Sequence, residues 1–466
     1  MQIETKFLCI TNEALKEEFF HRMISPFNAS LSSKSTPMKK SLYNFYLNIN
    51  GTDIVYNTLS TQFMKLTPEI TAYINEGKPL NEELKCELEN KCFILQDDID
   101  ERQMVKSVQL QKRFSSKTYV LILNTTLDCN LNCWYCYEKH SKESYMTIEM
   151  VERILKHINL ISKITNFEIL DLTFFGGEPL MNYKAISTLL DRVQQQAKEN
   201  NFKIALTVVS NGTLVSERYI DLLKPFSTRF QITIDGDKEM HNSIRKFKNE
   251  NQRDSYERIL NNLKLLNNAD ADFIFTLRIN YDDRVLSNID SLIKDLSFMD
   301  RRKAVITLQK VWQCNAEQID VQLLFNVIDT INKAGFCLNS FRFKHTFACC
   351  NTDNFGQAII NYDGSVYKCT ARDFDEKARH GYLNSLGIIE WDTELMKKRL
   401  SLKIPNKCQD CEFLPCCPGI CTQKIMENTN SEDIDCPFPF DKGVTKEDIV
   451  LLNLKQQLIA KGHEKK

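Results

Sequence analysis

The chain of 466 residues exceeds the length at which one hydrophobic core keeps growing, so two or three domains are expected. Its 60 basic and 61 acidic residues leave a net charge of -1, which excludes a chain-wide field that would recruit nucleic acid or an anionic membrane. The amino-terminal stretch has no basic segment leading into a long apolar run, and nowhere does the sequence reach the roughly 18 to 20 apolar residues of a membrane span, so a cytoplasmic protein is expected. In that reducing setting, 17 cysteines read as metal ligands or catalytic groups and not as a disulfide framework.

In chain order, residues 1–105 read as a small module of their own. "SLYNFYLNINGTDIVYN" predicts two strands joined at Asn50-Gly51, a strong hairpin signal, followed by a helix. A second helix, a short strand around Cys92 to Leu95 and a charged helix then lead into the next domain.

From residue 115 to 320, six apolar or β-branched runs alternate with amphipathic stretches: "YVLILNTT", "FEILDLTFF", "KIALTVVS", "RFQITIDG", "DFIFTLRIN" and "AVITLQKV". Between them, Val151, Ile154, Leu155 and Ile158 stand at helical spacing, as do Ile259, Leu260, Leu263 and Leu266. Strand and helix in alternation imply parallel pairing with right-handed crossovers, hence an α/β fold, most simply a partial (β/α)6 barrel with its active site at the carboxyl ends of the strands.

The loop after the first strand carries Cys129, Cys133 and Cys136 in a C-x3-C-x2-C spacing, with an aromatic residue just before the last cysteine. Three thiolates can hold three irons of a 4Fe-4S cube and leave the fourth iron open. The second strand ends in "FFGGEPL", where Gly176 and Gly177 would let backbone approach a ligand and Glu178 supplies a carboxylate suited to an ammonium group. The competing reading is an incidental trio or a zinc site completed from elsewhere.

Together these motifs resemble the radical S-adenosylmethionine (radical SAM) superfamily. The resemblance implies that the open iron chelates the amine and carboxylate of S-adenosylmethionine, which is cleaved reductively to methionine and a 5'-deoxyadenosyl radical. It also implies that Gly176, Gly177, Glu178 and Pro179 form the amine-binding turn, with Thr207, Ser210, Asn211 and Asp235 at later strand ends as further cofactor contacts. Asp235 is open to a second reading as a turn brace. His241 and Arg245 match a pattern frequent after the fourth strand of such barrels, and a solvated or salt-bridged helix face is the alternative.

A second cysteine field fills residues 340–440. Thirteen residues separate Cys350 from Gly364 and four separate Gly364 from Cys369, while Cys408, Cys411, Cys417 and Cys421 read C-x2-C-x5-C-x3-C ahead of Cys436. This is similar to the SPASM domain, which implies two auxiliary iron-sulfur clusters. Cys408, Cys411, Cys417 and Cys436 would hold one, and Cys350, Cys369 and Cys421 the inner one, whose fourth ligand is open between a free iron and His345; Cys349 is vicinal to Cys350 and poorly placed for the same cube. Structural zinc is the alternative for this field. Cys416 is spare, and Cys9, Cys86, Cys92, Cys314 and Cys337, which form no ligand spacing, are expected to be ordinary buried thiols. A helix is expected over 441–466.

The layout of residues 1–105 resembles the winged-helix-like leader-recognition module of radical SAM peptide maturases, which bind a precursor's leader as an added strand; a packing or dimerisation role is the alternative. The implied activity is an oxidative cross-link, thioether or carbon-carbon, in a ribosomally made precursor peptide. A flavodoxin or ferredoxin would supply the reducing electron, and the auxiliary clusters would accept the second substrate electron. The competing readings are peptide epimerisation, a non-enzymatic iron-sulfur carrier or sensor, and formylglycine formation. Against the last, relatives with that activity carry an aspartate after the cysteine matching Cys369, where this chain has Thr370 and no acid before Asp373.

Overall fold

The computed structural model describes residues 37–311, 313, 320–340, 350–417, 419–428, 431–434, 436 and 444–464. Its centre is a parallel β-sheet. Strands β6 (Thr118–Thr126), β8 (Ile169–Gly176), β9 (Lys203–Ser210), β10 (Thr228–Thr233), β12 (Phe273–Tyr281) and β13 (Ala304–Lys310) lie side by side in chain order, every pair parallel. These are the six runs that the apolar patterning predicts.

Helices cover the outer face of this sheet. Helix Ile148–Thr165 buries Val151, Ile154, Leu155 and Ile158, each at most 1% exposed. The helix over Ser255–Asn268 does the same with Ile259, Leu260, Leu263 and Leu266. Full burial of such a side chain stabilises by about 1.5 to 3 kcal/mol, so these stripes fix which face each helix turns to the sheet. Thr147 and Asp254 cap the two helices, accepting hydrogen bonds from the amides of Met150 and Glu257.

The sheet does not stop at six strands. Among the described residues it has eleven, with β14 (Cys337–Leu338) beyond β13 and β15 (Gln357–Asn361) parallel to β6 on the other side. From β15 the sheet continues antiparallel through β16 (Ser365–Tyr367), β17 (Gly381–Leu383) and β18 (Ile389–Trp391). Asn124 of β6 donates a buried amide hydrogen bond to Asn361 of β15. The boundary near residue 340 is therefore bridged by backbone pairing, and the cysteine-rich segment grows out of the first barrel strand.

The amino-terminal elements follow the sequence reading closely. Strands β2 (Asn44–Ile49) and β3 (Thr52–Asn57) form the hairpin, with Asn50 and Gly51 both at positive φ in the turn, and β4 (Phe63–Lys65) adds a third strand. Helices Pro68–Glu76, Glu82–Asn90 and Glu101–Arg113 follow, and β1 (Met38–Lys40) pairs antiparallel with β5 (Ile94–Gln96). This module is tied to the carboxyl end of the chain: the Cys416 thiol donates to the Thr58 carbonyl at 2.8 Å, Phe45 stacks edge-on against Phe413, and Asn453 donates to the Tyr56 hydroxyl. The carboxyl-terminal helix spans Lys446–Glu464. Among the described residues no helix is long and apolar enough to cross a membrane.

Candidate active site

Cys129, Cys133 and Cys136 line one cavity of about 140 Å³ at the carboxyl ends of the strands, together with Gly176, Gly177, Ser210 and Asn211. The loop that carries them is braced from two sides. Residues Leu131–Cys133 form a short strand, β7, paired antiparallel with β11 (Arg245–Phe247), which sets Arg245 opposite Cys133. On the other side the GGEP turn packs against the loop's backbone.

That packing explains the two glycines differently from the sequence reading, which assigns them to close approach of a ligand. A Cβ on Gly176 would lie 2.2 Å from the Thr126 carbonyl oxygen, and one on Gly177 would lie 2.1 Å from that of Asp128. The Gly177 amide donates to the Thr126 carbonyl at 3.0 Å and the Glu178 amide to the Asp128 carbonyl at 2.8 Å. Both glycines are needed so that the turn and the cysteine loop can touch, and both still face the cavity.

Glu178 is fully buried. Its carboxylate accepts from the Ser210 hydroxyl at 2.8 Å, the Asn211 amide at 2.7 Å and the Leu180 amide at 3.0 Å. Burial pushes its pKa up to about 7, and these hydrogen bonds oppose the rise. Asn211 carries the connection onward, since its side-chain amide donates to Cys129 Sγ at 3.6 Å and to Asn130 Oδ1 at 2.8 Å. The Leu131 amide also donates to Cys129 Sγ. Pro179 opens the short turn that follows and is buried.

Asp235 supports the brace reading in detail. It is fully buried, accepts from the Asn280 amide at 2.7 Å and from the Tyr135 hydroxyl, and lies 3.8 Å from Arg245 Nη1. Arg245 Nη1 and the Asn280 side chain donate to the Tyr135 hydroxyl oxygen at 2.7 and 3.0 Å. Tyr135, just before the third cysteine, is thus pinned to β11, to β12 and to the loop that follows β10. His241 is buried and accepts from the Asp235 amide, and burial holds its pKa well below the usual value, so it is neutral. Both His241 and Arg245 are buried, so neither is solvated, and Arg245 takes the salt-bridged form of the alternative through Asp235. Thr207 is placed differently from its expectation: it sits three residues before the end of β9, on the same strand face as cavity-lining Val209 and one pleat deeper.

The carboxyl-terminal cysteines sort into two neighbourhoods. Burial raises the Cys417 thiol to about 12, and Cys436, Cys411 and Cys408 add to the rise. Burial likewise raises Cys369, and there the neighbouring thiols are Cys350 and Cys421. The two cysteine regions also meet: Lys139, three residues after Cys136, forms an ion pair with Asp373 at 2.8 Å, and Tyr137 feels both Cys136 and Cys369. His345 and Cys349, and likewise Cys9 and Cys314, lie outside the described residues. Of the remaining spare cysteines, Cys92 and Cys416 are buried; Cys86 is exposed, on a helix whose only buried residue is Leu88, and Cys337 is half-buried on the end strand of the sheet.

The donor set at the first cavity suits an iron-sulfur cluster. The three cysteines line one cavity, and two N–H groups point at the Cys129 sulfur, contacts that favour a thiolate ligand against the burial that raises the free thiol to about 12. Among the described residues no three His, Cys, Asp or Glu side chains converge closely enough to hold a single ion, whereas a cluster spreads its ligands over separate irons. Sequence reasoning missed Tyr135, Asn130 and Asn280. Tyr135 lies inside the motif and could have been weighed; the two asparagines carry no local signal.

Residues 123–287 match the model of the radical SAM superfamily. The radical SAM cyclopropyl synthase TigE of Paramaledivibacter caminithermalis is 26% identical over 331 residues, covering 64% of this chain and 66% of that protein. A cysteine-type anaerobic sulfatase-maturating enzyme of Clostridium perfringens is 24% identical over 361 residues, covering 68% of this chain and 92% of that protein. Among solved structures, native anSMEcpe with bound AdoMet and Cp18Cys peptide superposes with a TM-score of 0.56 at 18% identity, over 75% of this chain and 100% of that one. Streptococcus suis SuiB does so with a TM-score of 0.50 at 15% identity, over 84% and 98%. The fold and the cavity together define a radical SAM domain. The chain that carries it is a relative of anaerobic sulfatase-maturating enzymes and of a radical SAM cyclopropyl synthase.

Proposed function

We propose that this chain is a radical SAM peptide maturase that installs an oxidative cross-link, thioether or carbon-carbon, in a ribosomally synthesised precursor peptide. The observation that carries this reading is the pairing of two further cysteine neighbourhoods with an amino-terminal module that offers open strand edges. Cys129, Cys133 and Cys136 would hold a 4Fe-4S cluster, which with S-adenosylmethionine would supply the reductive chemistry for hydrogen abstraction. The chain's own residues do the rest of the positioning: Gly176 and Gly177 seat the turn on the cysteine loop, and Glu178, through Ser210 and Asn211, locks that turn to β9. Cys408, Cys411, Cys417 and Cys436, and Cys350, Cys369 and Cys421, would hold two auxiliary clusters able to accept the second substrate electron, and a flavodoxin or ferredoxin would donate the first.

The relative's name, cyclopropyl synthase, favours carbon-carbon closure within this reading. Formylglycine formation is the second reading, favoured by a sulfatase-maturating relative matched over 92% of its length. Two features weigh against it. Thr370 stands where an acid would be wanted, and Asp373 is drawn away into its ion pair with Lys139.

Co-expression with the short peptide encoded nearest the gene tests the reaction. Closing one new bond removes two hydrogens from the peptide, so a loss of two hydrogen masses per event is expected. Tandem fragmentation then separates a link between residues, which suppresses cleavage inside the ring, from a cyclopropane within one residue. Exchange of a cysteine sulfur for oxygen with loss of two hydrogens, or loss of two hydrogens as an aldehyde within one serine, would overturn this proposal in favour of formylglycine, and an unchanged mass with solvent deuterium at an α-carbon would mean epimerisation.

A further expected outcome concerns residues 1–105. Between the β2–β3 hairpin and helix Pro68–Glu76 runs a cavity of about 330 Å³ lined by Tyr46, Ile54, Leu66 and Ile74, and β2 and β4 are the two edges of their sheet. A leader added as a strand would gain main-chain hydrogen bonds there and place alternate side chains in that cavity. Aspartate at both Tyr46 and Ile54 should weaken leader binding at least tenfold by fluorescence titration while leaving uncoupled S-adenosylmethionine cleavage unchanged. Equal affinities would show that the leader binds elsewhere.

A further inference from the structure

The region behind Cys350, Cys369 and Cys421 holds a buried arginine with more donors than acceptors. Arg399, on helix Thr393–Leu400, is 2% exposed. Its Nη2 donates to Gln423 Oε1 at 2.6 Å and to His380 Nε2 at 3.2 Å, and its Nη1 lies 3.7 Å from Asp353 Oδ1. His380 can accept because its Nδ1 faces the Ala378 carbonyl at 2.8 Å and must carry the proton; burial, and then Arg399 itself, lowers its pKa to about 4, so the ring is neutral. Among the described residues, Arg399 Nε and Nη1 make no hydrogen bond. A guanidinium stays charged, and leaving such donors unpaired in the interior is costly.

The partners of Arg399 stand beside the cysteines. Asp353 ends the short turn that begins just after Cys350, and Gln423 is two residues past Cys421. The Thr422 hydroxyl donates to Asp353 Oδ2 at 2.7 Å and joins those two segments directly. The third segment is tied in as well: Lys368, the residue before Cys369, is buried and donates to the carbonyls of Asn354 and Gln357 at 2.8 and 2.6 Å. Arg372, three residues past Cys369, makes a forked pair with Glu427, which also accepts from Gln423. Arg399 is within electrostatic reach of all three thiols, Cys369, Cys350 and Cys421.

We propose that Arg399 is the positioning residue and counter-charge of the inner auxiliary cluster. This rests on the reading above that Cys350, Cys369 and Cys421 hold such a cluster. Arg399 fixes the segments of Cys350 and Cys421 through Asp353 and Gln423, and its unpaired N–H groups are the donors available to the cluster's anionic sulfur. A buried cation and N–H donors favour the more negative, reduced state, so Arg399 raises the cluster's one-electron potential and makes it an electron acceptor for the substrate radical.

The test is an EPR-monitored redox titration of the full-length, iron-reconstituted protein, with Cys350→Ser used to identify the inner-cluster signal by difference. Arg399→Gln should lower that signal's midpoint by at least tenfold in the one-electron equilibrium, about 59 mV, while the other two signals keep theirs. An unchanged midpoint with the cluster present would overturn the inference. Should Arg399→Gln lose only the inner cluster, the positioning role is supported. Arg399→Lys, which keeps charge but not the fork, then decides the potential: a lowered midpoint supports the donor role and a wild-type midpoint overturns it. If Cys350→Ser alters neither iron content nor spectrum, the fault lies with the underlying cluster reading and not with Arg399.

Discussion

Serine at Cys133 is expected to abolish 5'-deoxyadenosine formation after chemical reduction, and to strip the cavity of its iron. The side chain keeps its size, so β7 and its pairing with β11 should survive, and the thermal midpoint should hardly move. What changes is the ligand. A thiolate is the metal-binding form of cysteine, and a serine hydroxyl does not ionise near neutrality to replace it. With two thiolates left, the cluster loses its tripod, and the loss should exceed the roughly 10- to 100-fold that removal of an outer partner of a metal site costs. The same outcome is expected at Cys129 and Cys136, since all three face one cavity. Iron analysis and chromatographic measurement of 5'-deoxyadenosine check it, and retained cleavage in Cys133→Ser would remove the chemical basis of the proposed function.

Alanine at Gly177 is expected to be nearly as damaging for a different reason. The added carbon would lie 2.1 Å from the Asp128 carbonyl oxygen and 2.6 Å from its carbon, and both are backbone atoms that cannot rotate away. Either the GGEP turn lifts off the loop, breaking the hydrogen bonds that the Gly177 and Glu178 amides donate to the Thr126 and Asp128 carbonyls, or the loop carrying Cys129 shifts. Overpacking of this kind costs about 3 kcal/mol or more. Here the strain falls on the segment that must hold the cluster, so lowered melting temperature, reduced iron content and lost cleavage should appear together. Gly51→Ala is the control: Gly51 also has positive φ, at 79°, but nothing lies within 4 Å of its Cβ position, so a cost of about 1 kcal/mol with normal iron content is expected. Wild-type iron and stability in Gly177→Ala would refute the packing argument.

The two predictions differ in where their warrant comes from. That Cys129, Cys133 and Cys136 act as a set is legible in their spacing after a strand, because a loop that short keeps its thiols together whatever else the chain does. The reason for the glycines is not legible. Two adjacent glycines read equally well as room for a ligand or room for backbone, and only the tertiary contact with Thr126 and Asp128 distinguishes them. His241 and Arg245 show the same limit from the other side: the stretch reads equally as functional or as a solvated or salt-bridged face, and only the fold buries both, Arg245 on β11 paired with β7 and His241 against the Asp235 amide.

The sequence by itself determined the six parallel strands, the helices that cover them and the Asn50-Gly51 hairpin, since each is written in local periodicity or turn chemistry. Only the tertiary structure decided which distant segments meet. Strand β15 joins β6 across more than two hundred residues of chain, Tyr135 is held by Asp235, Arg245 and Asn280 from three later segments, and Arg399 gathers Asp353 and Gln423 beside the segments of Cys350 and Cys421. The physical reason is common to all three: such contacts depend on strand order and on where buried polar groups find partners, and neither leaves a periodic trace in the residues that make them.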